Sequence, residues 1–460
     1  MRQKRDQTEV RVSDETAKAL ARLAHEITEQ PDEIVSGAVS FKDAVVPDRL
    51  RTDEFESFHI RGRKYWLYRL ALSHLAEEKT LEHLTARDIE PQLWDLVCEL
   101  SIRRESYRDQ KMRSRRISEF LRSIERPWRN FEAILGLSDL GVTEEFIIGG
   151  VTFQKMTAAG ARKWGLGGHE HLVRTAKLIS ASPIAMTEIR AGSHAKASER
   201  AKEKVDDALN FLRFSLSGAI YANVWDEQML FRRNGIWVVK ALDEDSLPQT
   251  NFGRGFRPMG FDIPGNLAAI LTEYLRPTED VLASGGDDLK RRVKRAIHWI
   301  GTATTRESYD DKITDLCTAL ETLLATKDEG RKAEAIAVRS MLLPAALGQG
   351  FPDPRVVFFL YERKRSDLVH GSEHRIGDEE DYRHLRELAV KTVGQYVQLV
   401  NSSPRVTKHS KVIERIEAPD RLKDVLDLLK GSRGAAAVKL RAFAEASAYP
   451  LRRRQSVDEW

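Results

Sequence analysis

"VVFFLYERKRSDLVHG", residues 356–371, begins apolar and ends polar and basic before Gly371. It predicts one helix over 354–370. Gly371 stands where helices often close on a left-handed residue. His370 then occupies the last helical turn, where unsatisfied carbonyls favour an imidazolium and tune its pKa close to physiological pH. That placement suits a general acid or base. Five residues upstream stands Arg365.

Spacing alone does not choose the partner of His370. Residues five apart lie about 140° apart around an ideal helix. Arg363, seven residues away, falls nearly on the histidine's face, so bare geometry leaves both arginines open. The chain also repeats the spacing in "RLALSH", Arg69 with His74, among Leu70, Leu72 and Leu75. There a surface arginine and a semi-buried histidine are the plain reading.

The surroundings of residues 356–371 separate the two cases. Helices are predicted over 287–302, 309–325, 331–347 and 378–400, and the short loops between them favour antiparallel neighbours in a bundle. The loop "RPTEDVLASGGDD" supplies a linker, 277–286. Residues 141–276 read as α+β, with a sensor or regulatory role. "EEFIIGGVTFQKMT" is a hairpin signal around Gly149-Gly150, and "SPIAMTEIRA" is a strand. "KASERAKEKVDDALNFLRFSLS" is a helix with Val205, Leu209, Leu212 and Leu216 facing inward. "MLFRRNGIWVVKAL" is a second hairpin, turning at Asn234-Gly235. Residues 1–140 read as helical, and 403–460 as a charged tail with one helix, "PDRLKDVLDLLKGS", capped by Gly431. The expected fold is therefore a mainly α multidomain protein: a helical N-terminal region, an α+β middle region and a C-terminal antiparallel helical bundle over 287–402.

Composition narrows the function classes. The 460 residues exceed one ordinary core; 41% are hydrophobic and 31% charged, as in a soluble protein with a highly charged surface. No apolar run approaches the length of a membrane span, and the basic N-terminus has no apolar segment behind it as a secretory signal would. A cytoplasmic location follows as the default. The two cysteines, Cys98 and Cys317, make neither a disulfide framework nor a four-ligand zinc site; both read as buried small hydrophobes. "GLGGHEH", 165–171, reads as a loop, with too few ligands for a metal. Neither a metal nor a cofactor is implied. The run 103–129 holds ten basic residues against four acidic. Arg113, Arg115 and Arg116 are candidates for RNA phosphate contact, with Tyr107 and Trp128 as stacking partners; a solvated helix face is the plain alternative.

"RSDLVHG" after a helical "VVFFLYERK", with "CTALETLLA" upstream and a long final helix, resembles the HEPN domains, and their Apea-like branch in particular. The resemblance covers roughly 287–400, a quarter of the chain. It implies a metal-independent endoribonuclease with Arg365 as the family arginine, His370 as its histidine and Arg363 as a basic neighbour. Ser366 is polar, where the family often carries Asn, Asp or His. Glu321 matches the family's acidic position and would orient Arg365 or His370, against the alternative of a surface glutamate. Asp367 is a helper in the same cleft or a solvated helix residue. The family also implies a homodimer or higher homo-oligomer across the motif helices, cellular RNA such as tRNA as substrate, and abortive-infection defence with a phage-derived trigger. The other class of function is a non-catalytic HEPN-type dimerisation or RNA-binding module.

Overall fold

The computed structural model describes residues 12–29, 34–36, 58–60, 62–138, 140–157, 183–216, 223–224, 236–241, 249–252, 261–263, 287–327, 329–349, 353–365, 378–402 and 406–455. The protein is mainly helical, with a small antiparallel sheet. Among the described residues no helix is long and apolar enough to cross a membrane. The chain divides into two compact units.

The first unit comprises Met1–Ala133, Glu188–Lys202 and Val238–Thr250. Its helices are α1 (Asp14–Glu29), α2 (Gly62–Glu77), α3 (Ala86–Ile102), the single turn α4 (Arg104–Tyr107) and α5 (Gln110–Ile124). A short antiparallel ladder, β1 (Ile34–Ser36) with β2 (Phe58–Ile60), accompanies them. Along α1, Leu20, Leu23, Ala24 and Ile27 are buried; this is the i, i+3, i+4, i+7 stripe of a helix with one apolar face. The stripe packs into one core with Leu67, Leu75, Leu93, Phe120 and Ile124. The long basic stretch after α3 is broken into the short turn α4 and a further helix. Asp109 restarts it as α5 by accepting the Lys111 N–H at 2.8 Å, an N-cap bond of the usual kind.

The second unit comprises Ile134–Thr187, Glu203–Trp237 and Asn251–Trp460. One difference from the expected helical N-terminal region is strand β3, Arg129–Ser138. Phe131, Ala133, Ile134, Leu135 and Leu137 are all buried, so neither alternate set of side chains faces water and a period-two pattern does not develop. β4 (Leu140–Val142) follows. The Gly149-Gly150 hairpin forms between β5 (Phe146–Ile148) and β6 (Val151–Lys155), with Phe146 opposite Phe153. Both glycines have positive φ, 57° and 72°, as a two-residue hairpin turn requires. β7 (Pro183–Ala191) lies antiparallel to β6, β8 (Asn223–Val224) pairs with the end of β3, and β4 runs parallel to β11 (Phe261–Ile263). Of the second expected hairpin, β9 (Ile236–Ala241) is described; its first strand and its turn lie outside the described residues, as do 165–171 and the linker 277–286. A further strand, β10, covers Gln249–Phe252.

Helix α6 (His194–Ser215) buries Val205, Leu209 and Leu212. It meets α7 (Asp288–Thr305) along a polar seam. Lys294 pairs with Asp207 at 2.6 Å, and the Asn210 amide lies 3.0 Å from His298 Nδ1. Gly301 lets the backbones close up: a Cβ there would stand 2.6 Å from Asn210 Cα. The helical array continues with α8 (Tyr309–Leu324), α9 (Lys332–Ala345), α10 (Pro354–Phe359) and α11 (Glu379–Asn401). Side-chain caps start four of these helices: Asp287 at α7, Ser308 at α8, Asp353 at α10 and Asp378 at α11. Every residue of α9 from Ala335 to Pro344 is buried, the condition of a helix at the centre of its packing. The charged tail is not a tail. In place of one expected helix, three form: α12 (His409–Ile416), α13 (Pro419–Leu428) and α14 (Ala435–Gln455). All three pack on α9, burying Val412, Ile416, Leu422, Leu440 and Ala444.

Candidate functional site

The helix predicted over 354–370 starts where Asp353 accepts the Arg355 N–H at 2.8 Å with Pro354 in the first turn. It does not stay α-helical. From Leu360 to Arg365 it is wound as a π-helix, an uncommon form that often marks functional sites. Arg363 and Arg365 belong to this turn, with their side chains outside the described residues. Ser366, Asp367 and His370 also lie outside them.

The residues leading into Arg365 are fixed from two sides. Tyr361, 4% exposed, donates its phenolic hydrogen to Glu321 Oε1 at 2.6 Å. The other Glu321 oxygen lies 3.4 Å from Lys332 Nζ. Glu321 is thus not a surface glutamate: its side chain is 15% exposed, and it ties α8 and α9 to the π turn. On the other flank, Lys439 of α14 pairs with Glu362 and its ammonium lies 5.5 Å from the centre of the buried Phe358 ring. Tyr361 and Lys439 were not legible as site residues. The one available signal was a polar-tipped aromatic four residues before Arg365.

Below the turn, the array holds two buried polar groups of note. Arg339, 4% exposed, donates to Glu329 at 2.6 Å, to Glu417 at 2.7 Å and to the Leu324 carbonyl at 2.6 Å. His409 stands between the Tyr396 hydroxyl and the Ala325 carbonyl, each 3.0 Å away. Burial lowers its pKa from 6.5 to about 4. With Nε2–H donating to the carbonyl, Nδ1 is left to accept from Tyr396, which fixes a neutral tautomer.

The basic run is largely committed within the first unit. Arg113 donates to Thr28 Oγ1 and to the carbonyls of Tyr107 and Arg108. Arg116 holds Glu99 at 2.7 Å, and Glu99 also accepts from the buried Tyr107 at 2.7 Å. Burial alone would raise the Glu99 pKa; the bonds from Tyr107 and Arg116 bring it below the usual value. Arg115 is exposed and pairs with Glu119 at 3.0 Å. Trp128 already has cations against its ring, Arg200 at 4.9 Å and Arg190 at 5.4 Å from the centroid. The second Arg/His pair has the plain character expected: Arg69 is exposed and 3.5 Å from Glu90, and His74 is half-buried. Of the cysteines, Cys317 is buried and Cys98 half-buried; burial pushes the Cys98 thiol up to about 12, far from reactive thiolate character.

No protein-family model, curated protein or solved structure matches the chain.

Proposed function

We propose that the region 287–402 is a metal-independent endoribonuclease of the HEPN type, with Arg365 and His370 as its working pair and antiviral abortive-infection defence as its role. The observation that carries this reading is the Glu321–Tyr361 hydrogen bond, which holds the motif's acidic position against the turn that delivers Arg365. The π winding supports it further. Such turns often mark functional sites, and this one ends on Arg365. RNA supplies its own nucleophile: the 2′-oxygen attacks the adjacent phosphorus as the bond to the 5′-oxygen breaks. His370 takes or returns the proton. Arg365 neutralises the crowded phosphoryl oxygens with a guanidinium that never loses its charge. Val356 and Phe359, 56% and 39% exposed one turn apart on α10, offer an apolar face for a second copy of the chain, so that two pairs share one cleft.

The test is cleavage of total RNA and of tRNA by the purified protein in EDTA. Activity should persist and leave 2′,3′-cyclic phosphate and 5′-hydroxyl ends. Arg365→Ala and His370→Ala should each lower the rate by about 10²–10⁴-fold, with Arg363→Ala doing much less and His74→Ala leaving the rate near wild type. Products with 3′-hydroxyl ends, or a fully active His370→Ala, would overturn the assignment.

A further inference from the structure

Helix α7 splits its residues between two sides. Val293, Ile297 and Ile300 are buried against the array, whereas Arg291 and Arg295 are exposed. With His298 these arginines fall at i, i+4 and i+7, the spacing of one helix face. Among the described residues, neither arginine has an ion pair or a side-chain hydrogen bond. Two nearby carboxylates are already taken by other cations: Asp288 holds Arg292 at 3.1 Å and Asp207 holds Lys294 at 2.6 Å. The face therefore keeps two unpaired positive charges one turn apart, about 6 Å along the axis.

His298 adds an observation of a different kind. Arg213, buried on α6, donates to Asn210 Oδ1 at 2.5 Å. That bond turns the amide so that its nitrogen faces His298 Nδ1 at 3.0 Å. An amide nitrogen only donates, so Nδ1 accepts and the ring proton sits on Nε2. Burial lowers the imidazole pKa, with Asp207 acting in the opposite sense, which keeps the ring neutral at physiological pH. The Nε2–H has no acceptor among the described residues. The half-buried ring thus holds one fixed donor on the face that carries the two arginines.

The face has a definite start. Arg292 Nη1 donates to the Thr322 carbonyl at 3.0 Å, which sets the N-terminal end of α7 beside the last turn of α8, the turn that carries Glu321. From there Arg291, Arg295 and His298 proceed along α7 over about 10 Å. We infer that this face of α7 binds the sugar–phosphate backbone of single-stranded RNA, with Arg291 and Arg295 on phosphates and His298 donating to a phosphate or 2′ oxygen. A guanidinium offers a phosphate a charged, two-pronged donor. Cations spaced along one helix are the electrostatic footprint of a nucleic-acid site. The inference rests on the ribonuclease reading for where the strand leads, toward the end of the array that holds Glu321 and the π turn; the binding itself needs no cleavage.

A fluorescein-labelled 2′-O-methyl oligoribonucleotide, which lacks the nucleophile and stays intact, tests it by anisotropy with the full chain across a salt series. The wild type should bind this single strand. Arg291→Ala with Arg295→Ala should weaken it roughly ten-fold while the circular dichroism spectrum stays unchanged. The same variant should flatten the log–log salt slope by about 1.4, the value for two phosphate contacts on a single strand. Arg291→Gln with Arg295→Gln should show the same loss if alanine disturbs the helix. His298→Ala should weaken binding without changing the slope, because the ring is neutral. Lys423→Ala with Lys430→Ala removes the same charge from exposed positions elsewhere and should bind as wild type does. On unmodified RNA the arginine variant should raise KM and keep kcat. Binding through these arginines by a wild type that leaves unmodified RNA uncut would fail the ribonuclease reading and support the binding face. No binding of the single strand, wild-type affinity and slope in a folded arginine variant, or an equal loss in the lysine variant would each overturn the inference.

Discussion

At the scale of single residues, the hydrogen bond from Tyr361 to Glu321 is the best test of whether the π turn is positioned for chemistry. The acceptor is a carboxylate and the donor is buried, so its loss should cost about 1.5–3 kcal/mol. Tyr361→Phe keeps the ring's volume and deletes only the hydroxyl. If the bond holds the turn for catalysis, the variant should lose about ten- to a hundred-fold in RNA cleavage rate at saturating substrate, more than its stability loss explains, and a urea titration should show the fold retained. A variant with wild-type kcat would reduce the bond to a stabilising one. Glu321 itself was legible through its place in "CTALETLLA". Tyr361 was not, because a tyrosine in an apolar helix usually belongs to the core, and its ring does lie there; only the phenolic oxygen reaches out of it.

At the scale of elements, His409 joins three helices: it lies on α12, accepts from Tyr396 of α11, and donates to the Ala325 carbonyl that ends α8. Its folded pKa, about 4, lies below the ordinary 6.5. Above pH 6.5 both folded and unfolded chains hold the imidazole neutral and the bonds contribute fully. Between 6.5 and 4 the unfolded chain takes up a proton that the folded chain refuses, so stability falls as pH falls and levels off below 4. The full loss is on the order of 3 kcal/mol. Urea titrations at pH 8 and pH 5 should show this difference shrinking in His409→Gln. The C-terminal helices also show where the sequence misleads. In α12, His409, Val412, Ile413 and Ile416 form a buried helical stripe, but Ser410, Lys411, Glu414 and Arg415 between them give the segment the texture of a charged tail. The double-glycine hairpin was legible because its turn depends on local chemistry. β3 was not, because burial on both sides erases the alternation that identifies a strand.

At the scale of the whole molecule, the apolar pair on α10 makes assembly the sharpest expectation. Val356 and Phe359 lie on α10, which leads into the π turn, and pairing of the motif helices between two copies would cover them. Light scattering at micromolar concentration should report a dimer or larger assembly. Val356→Asp together with Phe359→Asp should yield monomers and, where two copies complete one cleft, abolish cleavage without unfolding the chain. Monomers that cut RNA at the wild-type rate would rule out the shared cleft.

The contact of Gly301 with Asn210 has a consequence for how the protein can change over time. The two backbones lie too close for a methyl group, so Gly301→Ala would have to push α7 from α6, at about 1–3 kcal/mol, and pull His298 from the Asn210 amide. A thermal melt would register the loss. No second substitution at 210 relieves this, because even a glycine there keeps the Cα that the new methyl group would meet. Position 301 is therefore locked by backbone, and a set of natural variants should keep glycine there while positions 210 and 298 change as a pair.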